Sequence, residues 1–355
     1  MSVAVSVVIP VYKTSPILIS DALESCLNQT IDEHEIILVN NNASQEALVA
    51  IDPYVRRHPK RVRLVHEHRQ GTCSARNRGI LEARGRYVAL LDHDDIMYPH
   101  RLQAQLSSAE KHPEASLIHA LFDRVTPDNR HILVKGASGT PEFWRKLLFD
   151  PASSLANAPT VPPSVMFFKR ETAIKAHLFD EQFNPQWVED TEFCLKMSEQ
   201  GPFVLVDESL VRWRVQPHAD VRERNKSDIY VKLRNLDRMY RILQRKYGSK
   251  QNRNAERALR RMRAQWLREA SFLVSPFRSG KHIAKYLVLR SLIENPLDAK
   301  TWKVWMRAWY PSVLWPRAFH FDEWIDEALP ENLNWDFLHG IFRDGQDSFE
   351  VEASS

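Results

Sequence analysis

Three carboxylates fall within four positions at Asp92, Asp94 and Asp95, directly behind the apolar run Tyr87-Val88-Ala89-Leu90-Leu91. Like charges this close repel, and each raises the pKa of the next unless a cation lies between them. Carboxylate oxygens are hard ligands, so the fitting cation is Mg²⁺ or Mn²⁺ rather than zinc. A second acidic pair, Glu189-Asp190, stands far along the chain and opens a helical pattern, where the helix dipole favours carboxylate. One cluster to hold a metal and a separate carboxylate to move a proton is the equipment for group transfer from a diphosphate. Charge is neutralised on the leaving phosphate, and a base takes the proton of the incoming hydroxyl. Each piece alone has a plainer account, as a solvated loop with a helix cap or as a helix N-terminal acid.

The elements that must position these acids are legible in order. Ser2 to Pro10 is rich in β-branched residues with no alternation, which predicts a strand buried on both faces and so a parallel sheet. Glu35–Val39, Arg61–His66 and Tyr87–Leu91 are further strands, and 17–29, 45–58 and 71–85 read as helices between them, with Ser44 as an N-cap. Alternation at this spacing predicts an α/β layered fold with right-handed crossovers. Ligands then sit beyond the carboxyl ends of the strands, where Tyr12, Asn40 and Asp92 can converge. Later strands are expected at 116–120, 164–169, 203–206 and 209–215, and helices at 100–111, 171–177 and 191–200. Residues 123–163 read as a long irregular loop of the kind that carries function.

Several classes are disfavoured. No G-x-G-x-x-G follows the first strand and no G-x-x-x-x-G-K-[ST] occurs, which argues against a dinucleotide oxidoreductase and a P-loop NTPase. No apolar run approaches the ~20 residues of a membrane span. The N-terminus lacks a basic region and a cleavage site, and Cys26, Cys73 and Cys194 follow no metal-ligand spacing; a reducing cytoplasm is the expected setting.

Six segments occur in a fixed order: Val5-Ser6-Val7-Val8-Ile9-Pro10-Val11-Tyr12, Leu27-Asn28-Gln29-Thr30, Glu35-Ile36-Ile37-Leu38-Val39, Gly71-Thr72-Cys73-Ser74-Ala75-Arg76-Asn77-Arg78-Gly79, Leu91-Asp92-His93-Asp94-Asp95 and Val188-Glu189-Asp190. Over roughly residues 3–216 the chain resembles the family 2 inverting glycosyltransferases of the GT-A fold. The resemblance implies a Rossmann-like α/β domain, a mostly parallel sheet between helices, over residues 1–218. It implies a metal-dependent enzyme that moves a sugar from a nucleotide-diphosphate donor to a hydroxyl of a glycan or lipid-linked acceptor, in one in-line displacement, with Mg²⁺ or Mn²⁺. Bacterial surface polysaccharide synthesis is the implied setting.

The same resemblance implies roles by position. Pro10, Val11 and Tyr12 would line the nucleobase pocket, with Tyr12 free to stack. Asn40 and Asn42 fall at the base-reading strand end, and Arg76 and Asn77 on the nucleotide side. Asp92 would face the ribose with His93 beside it, Asp94 would bind the metal with Asp92, and Asp190 would be the general base. Asp95 would orient its neighbours. Two departures stand out. Asn40 replaces the usual Asp, and an Asn can still accept a base's imide N–H while offering donors of its own. Gln216 replaces a His found near the metal in many relatives, which leaves His218 as the candidate substitute.

Beyond residue 218 the character changes. From Arg222 to Arg268 there are 16 Lys/Arg and 4 Asp/Glu, while Phe321 to Ser355 holds 10 acids and one base. Residues 219–320 are expected to form a basic, Trp-containing helical extension and 321–355 an acidic tail that contacts it or another partner. No zinc-finger, homeodomain or aromatic RNA-binding signature accompanies the basic helices, which argues against nucleic acid. Trp302, Trp305 and Trp309, flanked by Lys300, Lys303 and Arg307, have the pattern of an interfacial helix, so peripheral contact with the inner membrane face is one expectation, and packing on the catalytic domain the other. The extension is also a candidate surface for homo-oligomers. A non-catalytic nucleotide-sugar or membrane-binding scaffold that keeps the fold is the alternative to an enzyme.

Overall fold

In the computed structural model, the described residues are 3–126, 128–130, 161–185, 187–214, 226–248, 253–275, 280–309 and 335–341. They divide into two compact units, the first ending at Arg214 and the second starting at Lys226.

The first unit is built on an eight-stranded sheet with order β3-β2-β1-β4-β7-β6-β8-β5. Its strands are β1 (Val5–Val11), β2 (His34–Asn40), β3 (Val62–His66), β4 (Tyr87–Leu90), β5 (Ile96–Met97), β6 (Leu117–Val125), β7 (Phe167–Lys169) and β8 (Phe203–Arg214). The first four run parallel, with the unbroken apolar runs of β1 and β2 at the centre of this half. Every residue of β1 is buried. Strand β7 runs antiparallel to β4 and β6, β6 is parallel to β8, and β5 is antiparallel to β8. The expected α/β fold with a mostly parallel sheet is therefore the fold observed.

Helices α1 (Pro16–Leu27), α2 (Gln45–Arg57), α3 (Thr72–Glu82) and α4 (Arg101–Lys111) follow the strands as the periodicity demands. Ser15 caps α1 ahead of Pro16 at its first turn. Ser44 caps α2 by accepting from the Ala47 N–H at 3.3 Å, as expected. Helix α3 is more deeply buried than its basic residues alone suggest. Its first two turns are buried, Arg76 and Asn77 included, because Gly79 lets it press on β1, where an added Cβ would stand 2.2 Å from Val8 Cγ1. Among the described residues, helices α5 (Arg170–Lys175) and α6 (Glu189–Ser198) complete the α-helices of the unit. Phe193 of α6 stacks on Phe179 at 4.1 Å and meets Phe168 of β7 at 5.4 Å, which fixes the start of α6 over the sheet.

Two strand boundaries differ from expectation. The pair expected at 203–206 and 209–215 is one strand, β8. Its ladder with β6 passes from Ala120↔Val206 to Leu121↔Ser209, so the exposed acids Asp207 and Glu208 bulge out. The short β5 carries too few residues to show a period. It exists because Ile96 and Met97 find β8, through Arg212 and Val211.

The second unit is helical. Helices α7 (Lys226–Tyr247) and α8 (Arg253–Val274) are amphipathic, and α9 (Gly280–Glu294), α10 (Ala299–Trp309) and α11 (Trp335–Gly340) follow. Part of the basic charge is matched inside this unit: Lys232 with Glu269 at 2.5 Å, Arg241 with Asp237 at 2.8 Å, and Arg263 with Glu294 at 2.6 Å. No helix among the described residues is long and apolar enough to cross a membrane. Of the acidic tail, only 335–341 is described; Gln216, His218 and most of the 123–163 loop also lie outside the described residues.

Candidate active site

The C-terminal ends of β1, β2 and β4 are neighbours, so Tyr12, Asn40 and Asp92 do converge. The Asn41 N–H donates to the Val11 carbonyl at 2.9 Å. His93 Nδ1 lies 3.1 Å from the Pro10 carbonyl, which ties the acidic turn to the end of β1. Tyr12 is 40% exposed with Lys13 over its ring at 5.5 Å, so its open face is free to stack on a planar ligand.

The acidic turn is fastened residue by residue. The Asp92 N–H donates to Ser164 Oγ at 2.9 Å, and that hydroxyl in turn donates to the Asp95 carboxylate. Asp95 also accepts the Arg214 N–H at 2.9 Å and is almost fully buried. Burial, then Asp94 and Asp92, hold its pKa well above the usual carboxylate range. Asp95 is thus a structural group that orients its neighbours. Arg214 extends the clamp: Nη1 donates to the Asp94 carbonyl at 3.1 Å and Nη2 pairs with Asp21.

Asp92 and Asp94 remain partly exposed. Asp92 Oδ1 accepts from Arg76 Nη2 at 2.9 Å. The Asp94 carboxylate has no hydrogen-bonded side-chain partner among the described residues, and burial, with Asp92 adding to it, raises its pKa. Among the described residues no group of three or more His, Cys, Asp or Glu is arranged as a metal cage. The donor set still fits Mg²⁺ or Mn²⁺, which take one or two carboxylates and complete their shell with water and phosphate oxygens.

Arg76 carries the site across to α6. Its Nη1 donates to Glu189 Oε1 at 3.0 Å while Nη2 holds Asp92, and its guanidinium lies over the Phe179 ring at 5.4 Å. Burial works against its charge, and the two carboxylates outweigh burial, so its pKa is raised. Asp190 follows Glu189. Burial and the Glu189 charge push its carboxyl up to about 7, despite hydrogen bonds from the Thr191 N–H at 2.6 Å and its hydroxyl at 3.3 Å. Trp187 and Val188, just before the helix, both have positive φ, 81° and 68°. Such backbone in bulky residues is strained and concentrates at functional sites.

Other expected positions are committed to the frame. The Asn77 amide donates to the Phe179 carbonyl at 2.9 Å and to Glu181 at 3.1 Å, and its carbonyl accepts the Phe179 N–H at 2.9 Å. Asn40 Oδ1 accepts the Ala43 N–H at 2.9 Å, so one lone pair is in use, and Nδ2 lies 3.2 Å from His66 Nδ1. Asn42, at φ 62°, donates to Gln70 at 2.5 Å.

Sequence reasoning missed Asn41, Ser164 and Asp21. Buried Asn41 donates to the Glu67 and Arg69 carbonyls, both at 2.8 Å, and accepts the Gly71 N–H at 2.9 Å, shaping the approach to α3. An Asn at a strand end was the available signal for Asn41. Ser164 and Asp21 have none, since each acts only through distant partners.

The mostly parallel sheet with its flanking helices is a GT-A fold, and it carries acids at the end of β4 and a carboxylate pair opening α6. The profile described as glycosyl transferase family 2 matches residues 6–171, within the first unit, and over that stretch the chain is similar to that family. Glycosyltransferase EpsJ of Bacillus subtilis is 27% identical over 218 residues, 61% of this chain and 62% of that protein. A glycosyltransferase of Rickettsia bellii is 28% identical over 191 residues, 54% of this chain and 25% of that protein. Chondroitin synthase of Escherichia coli is 27% identical over 201 residues, 56% of this chain and 27% of its own length. The matches thus span less than two thirds of these relatives.

Proposed function

We propose that the chain is an inverting glycosyltransferase that uses a nucleotide-diphospho-sugar and a hydroxyl of a glycan or lipid-linked acceptor. The observation that carries this is the Arg76 bridge, which draws the strand-end acids and the Glu189-Asp190 pair into one cluster. The relatives that act in polysaccharide synthesis, chondroitin synthase among them, support the acceptor class.

Asp94, with Asp92, would hold Mg²⁺ or Mn²⁺, which neutralises charge on the leaving diphosphate. Tyr12 stacks on the nucleobase, and the Asn40 amide reads its edge with the capacity Ala43 and His66 leave. Asp190 takes the proton of the acceptor hydroxyl as that oxygen attacks the anomeric carbon. A pKa near neutrality suits it, because it is both ionised enough and basic enough at working pH. Arg76 pairs with Glu189 and so holds the start of α6 beside the strand-end acids.

The test is a panel of UDP-, GDP-, CMP- and dTDP-linked sugars, with and without Mn²⁺, read by thermal shift and by release of the nucleotide. A donor that binds the folded state raises its Tm by mass action. One donor class giving a metal-dependent shift and slow hydrolysis is the expected result. No shift with any donor would overturn the reading.

A further inference from the structure

Nine large apolar side chains are exposed among the described residues. In the first unit they stand apart along the chain. In the second unit all four, Leu289, Ile293, Leu297 and Trp302, fall between residues 289 and 302. Leu289 and Ile293 are one turn apart on the outer side of α9, whose opposite side, with Leu287, Ser291 and Leu292, is buried. Leu297 is 92% exposed and Ile293 71%. The indole N–H of Trp302 donates to the Pro296 carbonyl at 2.6 Å, which ties the ring back to the turn that carries Leu297. The exposed apolar groups therefore form one stretch. The sequence pattern had placed the apolar face on Trp302, Trp305 and Trp309; Trp305 is instead half-buried, and the Trp309 side chain lies outside the described residues.

The charges of the same stretch are sorted by sign. Glu294 turns to Arg263 at 2.6 Å and Arg260 at 3.4 Å. Asp298 pairs with Arg268 and bonds Thr301. Lys300 and Lys303 are exposed, and their side chains have no partner among the described residues. What faces solvent beside the apolar groups is therefore cationic.

We infer that residues 289–303 dock on an anionic lipid surface. Ile293 and Leu297 enter the boundary between headgroups and acyl chains, Trp302 sits at headgroup depth, and Lys300 and Lys303 meet lipid phosphates. A bilayer offers an apolar layer and an anionic layer at adjacent depths, which is the order found here. A second copy on a two-fold axis would set this cationic face against the same cationic face. The inference stands on this unit alone and does not depend on the donor chemistry.

The experiment is co-sedimentation of the full chain with vesicles of phosphatidylcholine alone, or with one third phosphatidylglycerol. The unaltered chain is expected on the phosphatidylglycerol vesicles at low salt and free at high salt, because salt screens exposed charge. Ile293→Ser with Leu297→Ser should lower partition about tenfold or more. Lys300→Glu with Lys303→Glu should lower it about fivefold or more per lysine. Both double variants change exposed side chains only, so thermal unfolding and nucleotide release in solution should be unchanged. No vesicle binding by the unaltered chain, or binding by both double variants equal to that of the unaltered chain, overturns the inference. A change in molar mass by light scattering without vesicle binding also overturns it, in favour of contact between copies.

Discussion

Asp92 and Glu189 share one guanidinium. Arg76 reaches the first at 2.9 Å and the second at 3.0 Å, and it is buried. The strand-end acids and the helix that carries Asp190 are therefore joined by a single side chain.

Removing that cation should leave buried Glu189 and partly exposed Asp92 facing each other without a counter-ion. Arg76→Ala is expected to cost about 3–5 kcal/mol, read by urea denaturation, since breaking a buried pair strands its partners. Arg76→Lys should regain part of the stability while nucleotide release stays at least about tenfold down. A single ammonium cannot fork between two acids as a guanidinium does.

Asp190 should set the acidic limb of the pH–rate profile. As a base it works ionised, so the rate falls as pH drops through about 7. Glu189→Gln removes a charge that raises this pKa, and the limb should move to lower pH. Asp190→Asn should abolish transfer and keep donor binding. Stability should respond too. The folded pKa lies above the ordinary 3.8, so ionisation costs stability as pH rises from about 4 to 7, and the cost is complete above that. Asp190→Asn should raise Tm by a few degrees at pH 8 and have little effect near pH 4.

Asp94→Ala should remove the dependence of donor affinity on divalent metal. The check is calorimetric titration of the best donor with Mn²⁺ and with EDTA. Affinity that still falls in EDTA would count against the assignment.

Gly71 sits at φ 138°, and an added Cβ would stand 2.1 Å from the Asn184 side chain, whose oxygen caps the Cys73 N–H. Gly71→Ala should destabilise by about 2 kcal/mol or more, by strain and by displacing that cap. Adding Asn184→Ala should recover the clash but not the backbone strain, so the two losses should fall short of additive in thermal unfolding.

The parallel half of the sheet was legible because both-face burial leaves unbroken runs of Val, Ile and Leu. The strand-end acids were legible because packed charge behind such a run has few plain explanations. What escaped was whatever depends on distant pairing. β5 has no period to read, and its two residues become a strand only against β8. Arg76 and Asn77 were legible as nucleotide-side positions, but nothing local announces that Asp92, Glu189 and Glu181 are their partners. Ser164 is equally silent, since its role lies in a hydroxyl shared by Asp92 and Asp95.

The fastening of the acidic turn has a consequence for engineering. The Leu91 N–H is held by Val8, the Asp92 N–H by Ser164, Asp95 by Arg214, and Ile96 and Met97 by β8. A floor bolted at so many points offers no slack to a redesigner. Exchanges at Asp95, Ser164 or Arg214 will be read out as folding yield. Under the proposed function, changes of donor preference are expected from the open strand-end positions, Tyr12 above all, where a new ring or charge would alter what is grasped and leave the scaffold untouched.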